Sequence, residues 1–191
     1  MNRAAFLDRD GVINRKAREG EYVTRWEEMQ ILPGVGEAIS LLNGAGFRVI
    51  IVSNQRCVAK GLISSVDLEA LHQKMCSVLA SDGATIDGVY YCPHEKQPAC
   101  RCRKPEPGML LDAARDHDIN LGASWMIGDS GADVEAGRKA GCKTALLGSS
   151  FSSNMEADAT GPSLLDLTRR ILQIETEMSQ RSPGPTAHAR I

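Results

Sequence analysis

Arg3 to Gly11 reads Arg-Ala-Ala-Phe-Leu-Asp-Arg-Asp-Gly, and this stretch decides the fold. Ala4 to Leu7 is a short apolar run with no polar alternation. Such a run predicts a strand buried on both faces. It stops abruptly at Asp8-Arg9-Asp10-Gly11, so two carboxylates stand where the strand ends. Within a strand, neighbours once removed share a face; in a loop leaving a strand, both carboxylates can converge on one ligand. One can then attack an electrophile while the other manages protons.

The same grammar repeats down the chain. Gly34 to Asn43 places Val35, Ala38, Ile39 and Leu42 at helical spacing after Pro33. Phe47 to Val52 predicts a second strand, ending at Ser53-Asn54. Ser65 to Leu79 predicts a long amphipathic helix, with Glu69 placed as in a displaced capping box. Val89 to Tyr91 predicts a third strand and Gly108 to His117 a helix. Trp125 to Ile127 predicts a fourth strand, ending at Gly128-Asp129. A helix from Ala132 to Ala140 is stopped by Gly141, and Lys143 to Leu147 predicts a fifth strand. Ser163 to Met178 predicts the last helix.

Strands alternating with helices predict an α/β fold, a Rossmann-like parallel sheet with helices on both faces. In such a sheet the site lies at the carboxyl ends of the strands. Asp8, Ser53 and Asp129 each stand at a strand end. Residues 1–181 are expected to make a single domain, and the polar, proline-bearing residues 182–191 a disordered tail.

Composition narrows the classes of function. The formal net charge of −2 gives no field for non-specific nucleic-acid binding. With 4% aromatic residues, stacking platforms for single strands are not expected either. No apolar run approaches the ~20 residues of a membrane span, and no leader pattern opens the chain. A cytoplasmic protein is expected, with no membrane partner.

There are six cysteines, and three of them crowd beside His94: Cys92, Cys100 and Cys102. Three thiols and one imidazole within eleven positions fit a tetrahedral Zn²⁺ site, closed and therefore structural. Arg103 and Lys104 follow directly, so the ion would hold these cations in place. Cys76 and Cys142 read as free buried thiols.

A carboxylate nucleophile facing a phosphate dianion suffers repulsion, which Mg²⁺ held by oxygen ligands removes. Asp129 is a natural ligand, with Asp133 supporting it from behind. Ser53 offers a hydroxyl and Lys104 a point charge for a phosphoryl group. Singly, each of these motifs also fits a solvated turn or a helix cap.

Together, in this order, Asp8-Arg9-Asp10-Gly11, Ser53-Asn54-Gln55, Arg103-Lys104-Pro105 and Gly128-Asp129-Ser130 with Asp133 resemble the haloacid dehalogenase superfamily. The resemblance runs from about Arg3 to Leu147 and implies a magnesium-dependent phosphatase working through an aspartyl-phosphate. By it, Asp8 is the nucleophile and Asp10 the general acid and base, which excludes a dehalogenase. Ser53 and Lys104 stabilise the phosphoryl group, and Asp8, the Asp10 carbonyl and Asp129 hold Mg²⁺.

Members with this zinc loop and no cap domain include heptose bisphosphate phosphatases and histidinol-phosphate phosphatases. Ile13-Asn14, Tyr22-Val23 and Lys104-Pro105-Glu106-Pro107-Gly108-Met109 resemble the heptose group more. The implied activity is removal of the 7-phosphate of D-glycero-D-manno-heptose 1,7-bisphosphate, with histidinol phosphate as the alternative substrate. A non-catalytic phosphate-binding protein on this fold is the reading of another class. Asn54, Gln55, Arg56, Arg103 and Ser130 are the expected contacts to a small phosphorylated sugar, and the open site suits a monomer. Ser53-Asn54-Gln55-Arg56-Cys57-Val58 departs from the family's usual Thr-Asn-Gln-Ser-Gly-Ile, with Arg56 the larger change. Lys16, Arg18, Glu19 and Glu21 are expected to form a solvated loop over Trp26, and His72 and His117 to lie on helix surfaces.

Overall fold

The apolar run at the head of the chain forms β1 (Arg3–Leu7) in the computed structural model, which describes residues 1–148 and 156–181. The other strands are β2 (Phe47–Asn54), β3 (Gly88–Cys92), β4 (Trp125–Gly128), β5 (Lys143–Leu147) and β6 (Ala159–Gly161). They make one six-stranded sheet in the order β3-β2-β1-β4-β5-β6, every pairing parallel. The expected tail, 182–191, lies outside the described residues.

Side chains along a strand alternate between faces, and both faces are buried here. Ala5, Leu7, Val49, Ile51, Trp125 and Ile127 point into one core. That core is covered by α1 (Val35–Gly44), α2 (Ser65–Ser81) and α5 (Leu164–Arg181). Ala4, Phe6, Ile50, Val52 and Met126 point into the other, under α3 (Gly108–Asp116) and α4 (Gly131–Ala140). This two-sided burial is why the strands read as unbroken apolar runs. No helix of the described residues is long and apolar enough to cross a membrane.

Two local readings change. The cap of α2 is Ser64, whose hydroxyl accepts the Asp67 backbone N–H at 3.0 Å. Glu69 instead accepts the Tyr91 hydroxyl at 3.0 Å, so it is no capping residue. β6 has no β-rich run to announce it. It exists because β5 still has an open edge, and Asp158 ties it there by accepting the Thr144 N–H at 2.7 Å and hydroxyl at 3.0 Å.

Glu175 pins α5 to the sheet. It accepts the Trp125 indole N–H at 2.9 Å, Lys143 Nζ at 2.6 Å and Arg3 Nη1 at 3.2 Å. Burial pushes its carboxyl up, but Lys143, Trp125 and Arg3 outweigh that and hold it below the usual carboxylate range. A depressed carboxylate stabilises the fold above its unfolded pKa, and that stability is lost as pH falls through the folded value. Glu175→Gln should therefore cost about 1–2 kcal/mol at pH 7. The cost should begin to shrink as pH falls past the ordinary glutamate value of about 4.3 and vanish only below the depressed folded value, where both states are protonated. Urea unfolding of both proteins at several pH values reads this; a pH-independent difference would contradict it.

Candidate active site

Strand order reverses at β1: the chain builds outward through β2 and β3, then returns to place β4 on the other side. Parallel sheets open a crevice at such a switch point. Leu7 is in register with Ile51 on one side and Ile127 on the other, so Asp8, Ser53 and Asp129 emerge side by side. The Asp8 N–H donates to the Ile127 carbonyl at 3.0 Å, extending the ladder by one residue.

Lys104 reaches this point from the loop before α3. It is 3% exposed, and its ammonium donates to the Val52 carbonyl at 2.7 Å. It pairs with Asp8 Oδ1 at 2.9 Å and Asp133 Oδ1 at 2.6 Å. Asn54 fixes its backbone from both sides, donating to the Lys104 carbonyl and accepting its N–H, each at 3.0 Å. Asp8 Oδ1 also accepts the Arg9 backbone N–H at 2.7 Å, which leaves Oδ2 for chemistry. Burial raises Asp8 to about 7 against the pull of the Lys104 ammonium, with Asp133 adding to the rise. A positive charge brought beside it would favour the ionised form.

Asp8, Asp129 and Asp133 can offer oxygens that all lie within 4.8 Å of one another. Asp129 Oδ1 is buried without a hydrogen-bond partner. Hard oxygen donors with one oxygen orphaned fit a divalent cation such as Mg²⁺. Asp133 also caps α4, accepting the Ser130 N–H at 3.1 Å and hydroxyl at 2.5 Å, so the Ser130 hydroxyl is already engaged. Gly11 has φ +96°, and a Cβ there would lie 2.2 Å from Asp129 Oδ2; only glycine lets the loop pass this close.

The Asp10 carboxylate is not in this cluster, so the expected part of Asp10 in holding a metal is left to its carbonyl. Its carboxylate faces Arg9, a guanidinium 1% exposed, which grips it through Nε at 3.2 Å and Nη2 at 2.9 Å. Asn14 and Gln55 donate to it at 2.9 and 3.0 Å. Burial alone would raise Asp10, but Arg9, Asn14 and Gln55 hold it below the usual carboxylate range. Behind Arg9 stands His72, expected on the surface but 3% exposed, with Nε2 at 3.2 Å from Arg9 Nη1. Burial and the neighbouring guanidinium lower His72 to about 4, so it is neutral and accepts from Arg9.

Around the carboxylates lies a cavity of about 490 Å³, with Ser53, Asn54, Arg103 and Ser130 on its wall. Gln55 and Arg56 do not line it. Gln55 is 1% exposed and bridges Ser53 Oγ at 2.7 Å to Asp10. Arg56 turns to Glu95 in an ion pair. Lys16, Arg18, Glu19 and Glu21, expected to be merely solvated, form the far wall beside Tyr22 and Val23, which the resemblance places in the substrate loop. Lys16 Nζ reaches Asp129 Oδ2 at 2.6 Å, a pairing across 113 positions. No local pattern foretells that contact.

Cys92, His94, Cys100 and Cys102 come together as expected. Cys92 Sγ lies 3.6 Å from both His94 Nδ1 and Cys100 Sγ; Cys102 Sγ lies 3.2 Å from His94 Nδ1 and 3.5 Å from Cys100 Sγ. Bonds of ~2.3 Å in a tetrahedron place sulfurs about 3.8 Å apart, so this set fits Zn²⁺ with little adjustment. Arg103 donates to the His94 carbonyl at 3.3 Å, which ties the loop to the cavity wall.

Comparison with known proteins agrees with this geometry. A family model described as HAD-hydrolase-like matches residues 101–166. A D-glycero-beta-D-manno-heptose-1,7-bisphosphate 7-phosphatase of Rhodopseudomonas palustris is 46% identical, over 72% of this chain and 79% of its own. A D-glycero-alpha-D-manno-heptose-1,7-bisphosphate 7-phosphatase of Mycobacterium bovis is 41% identical, over 83% of this chain and 86% of its own. The crystal structure of the D,D-heptose 1,7-bisphosphate phosphatase of B. bronchiseptica, complexed with magnesium and phosphate, superposes with a TM-score of 0.81 at 34% identity. That match covers 90% of this chain and 99% of the other. The chain therefore belongs to the haloacid dehalogenase-like hydrolases, as a phosphatase in the family of the heptose-1,7-bisphosphate 7-phosphatases.

Proposed function

We propose that the chain removes the 7-phosphate of D-glycero-D-manno-heptose 1,7-bisphosphate, with Mg²⁺, through an aspartyl-phosphate on Asp8. The observation that carries the mechanism is the meeting of Asp8, Ser53, Lys104 and Asp129 at adjacent strand ends beside Asp10. The heptose is carried by the names of the relatives, which also favour it over histidinol phosphate. Residues 1–181 act as one domain and one monomer on a small phosphorylated sugar.

Asp8, Asp129 and the Asp10 carbonyl hold the magnesium, with Asp133 closing the acidic cluster. Mg²⁺ supplies charge neutralisation between the nucleophile and the phosphate. Asp8 Oδ2 bonds to phosphorus while the bond from phosphorus to the C7 oxygen breaks. Asp10 gives that oxygen its proton. The approaching dianion raises the proton affinity of Asp10 against the hold of Arg9, so the proton is present when it is needed. Asp10, now ionised, takes a proton from water as the water oxygen bonds to phosphorus, and the bond from phosphorus to Asp8 breaks. Lys104 and Ser53 stabilise the transferring group throughout. Asn54 positions Lys104, and Gln55 positions Asp10 and Ser53. Arg103 holds the sugar or its second phosphate. Zn²⁺ on Cys92, His94, Cys100 and Cys102 keeps Arg103 and Lys104 in place.

With Mg²⁺, kcat/KM for the heptose bisphosphate, assayed as both anomers, should exceed that for histidinol phosphate by about 100-fold or more. Equal values, or a preference for histidinol phosphate, would overturn the substrate while leaving Asp8 chemistry intact.

A further inference from the structure

We propose that Lys16 is a built-in counter-cation of the acidic cluster, seated on Asp129 until a divalent cation displaces it. The inference rests on reading that cluster as the magnesium site. The three carboxylates have two ammonium partners of different character. Lys104 is fixed: its side chain is 2% exposed, and it is bound to Asp8, Asp133 and the Val52 carbonyl. It does not reach Asp129. Lys16 does, at 2.6 Å, on a side chain 57% exposed against 16% for Asp129.

An ammonium is a compact point charge on a flexible stem, suited to standing where a hydrated cation would bind. Its own hold is weak, because a half-exposed ion pair is screened and costs rotamer freedom. The other Asp129 oxygen, Oδ1, is buried without a hydrogen-bond partner, so the carboxylate is only half satisfied by Lys16. A divalent cation drawn to Asp129 would meet a like charge on the same carboxylate, and the mobile one yields. Once released, the ammonium stands in the cavity it shares with Arg103 and Lys104. There it meets phosphate. Metal and phosphate binding are then coupled through one side chain, each favouring the other.

The test is calorimetric titration of Mg²⁺ into the wild-type protein, Lys16→Gln, Lys16→Arg and Lys96→Gln, without substrate. Thermal melting and titration with inorganic phosphate run alongside. Lys16→Gln should bind Mg²⁺ about tenfold more tightly, as competition and repulsion are removed. It should melt lower without the ion and gain more from it. Loaded with Mg²⁺, it should bind phosphate more weakly than wild type. Lys16→Arg should stay near wild type. Lys96→Gln removes a charge from the same cavity wall without touching Asp129, and should shift Mg²⁺ affinity by less than about twofold. Unchanged or weaker Mg²⁺ binding by Lys16→Gln overturns the role of Lys16. Absence of Mg²⁺ binding in every protein, wild type included, removes the metal site itself, and that failure is distinct from equal affinities.

Discussion

Asp8→Asn abolishes phosphate release, lowering kcat on the order of 10⁴-fold or more. The substitution keeps the shape of the side chain and removes the one group that can bond to phosphorus. Lys104 keeps its Asp133 and Val52 partners, so the site does not collapse. Burial already disfavours the charged form of Asp8, so a neutral amide costs the fold little. The melting temperature should hold or rise, as it does where a strained charge is removed from an active site. Acid-quenched wild-type enzyme should carry phosphate on Asp8, and the variant none. Turnover retained by a well-folded variant would mean that water attacks phosphorus directly, with Asp8 no more than a metal ligand.

Loss of the zinc site should be the second large effect. Purified protein should carry one Zn²⁺ per chain by elemental analysis. Cys102→Ser, or removal of zinc by a chelator, should lower kcat/KM by about 10- to 100-fold. The reason is connectivity. Cys102 precedes Arg103 and Lys104, and the Lys104 ammonium is the positive charge shared by Asp8 and Asp133. A loosened loop moves that charge away from where phosphate is transferred. Excess Mg²⁺ should fail to restore chelated enzyme, and Zn²⁺ should succeed. Full activity in a zinc-free chain would show that packing alone holds the loop.

The framework of the site was legible because each central strand runs apolar up to a chemically distinctive residue. Leu7 to Asp8, Val52 to Ser53 and Gly128 to Asp129 each mark a strand end by composition. The cluster of Cys92, His94, Cys100 and Cys102 was legible from spacing, since Cys92 ends β3 and the other three lie on the short loop that follows. What escaped depends on contacts far apart in sequence. Arg9 lies inside a recognised motif, yet its burial against His72 joins β1 to α2. His72 was readable in part. It follows Leu68 and Leu71 and precedes Met75 on the buried stripe of its helix, and that spacing places it inward.

In sequence, Gln55 and Arg56 follow Ser53 and read as substrate contacts, but only the fold decides which way a loop turns. Gln55 turns inward to Asp10, and Arg56 finds Glu95 on the zinc loop. Lys16 looked like one charge among several in a polar loop, and its distinction is the single distant carboxylate it meets.

The most direct test of the central claim follows D-glycero-D-manno-heptose 1,7-bisphosphate by ³¹P NMR in the presence of enzyme and Mg²⁺. The expected result is loss of the C7 phosphomonoester signal, growth of inorganic phosphate, and a persistent C1 phosphate. Release of the C1 phosphate, or an unchanged spectrum from enzyme that hydrolyses histidinol phosphate, would contradict it.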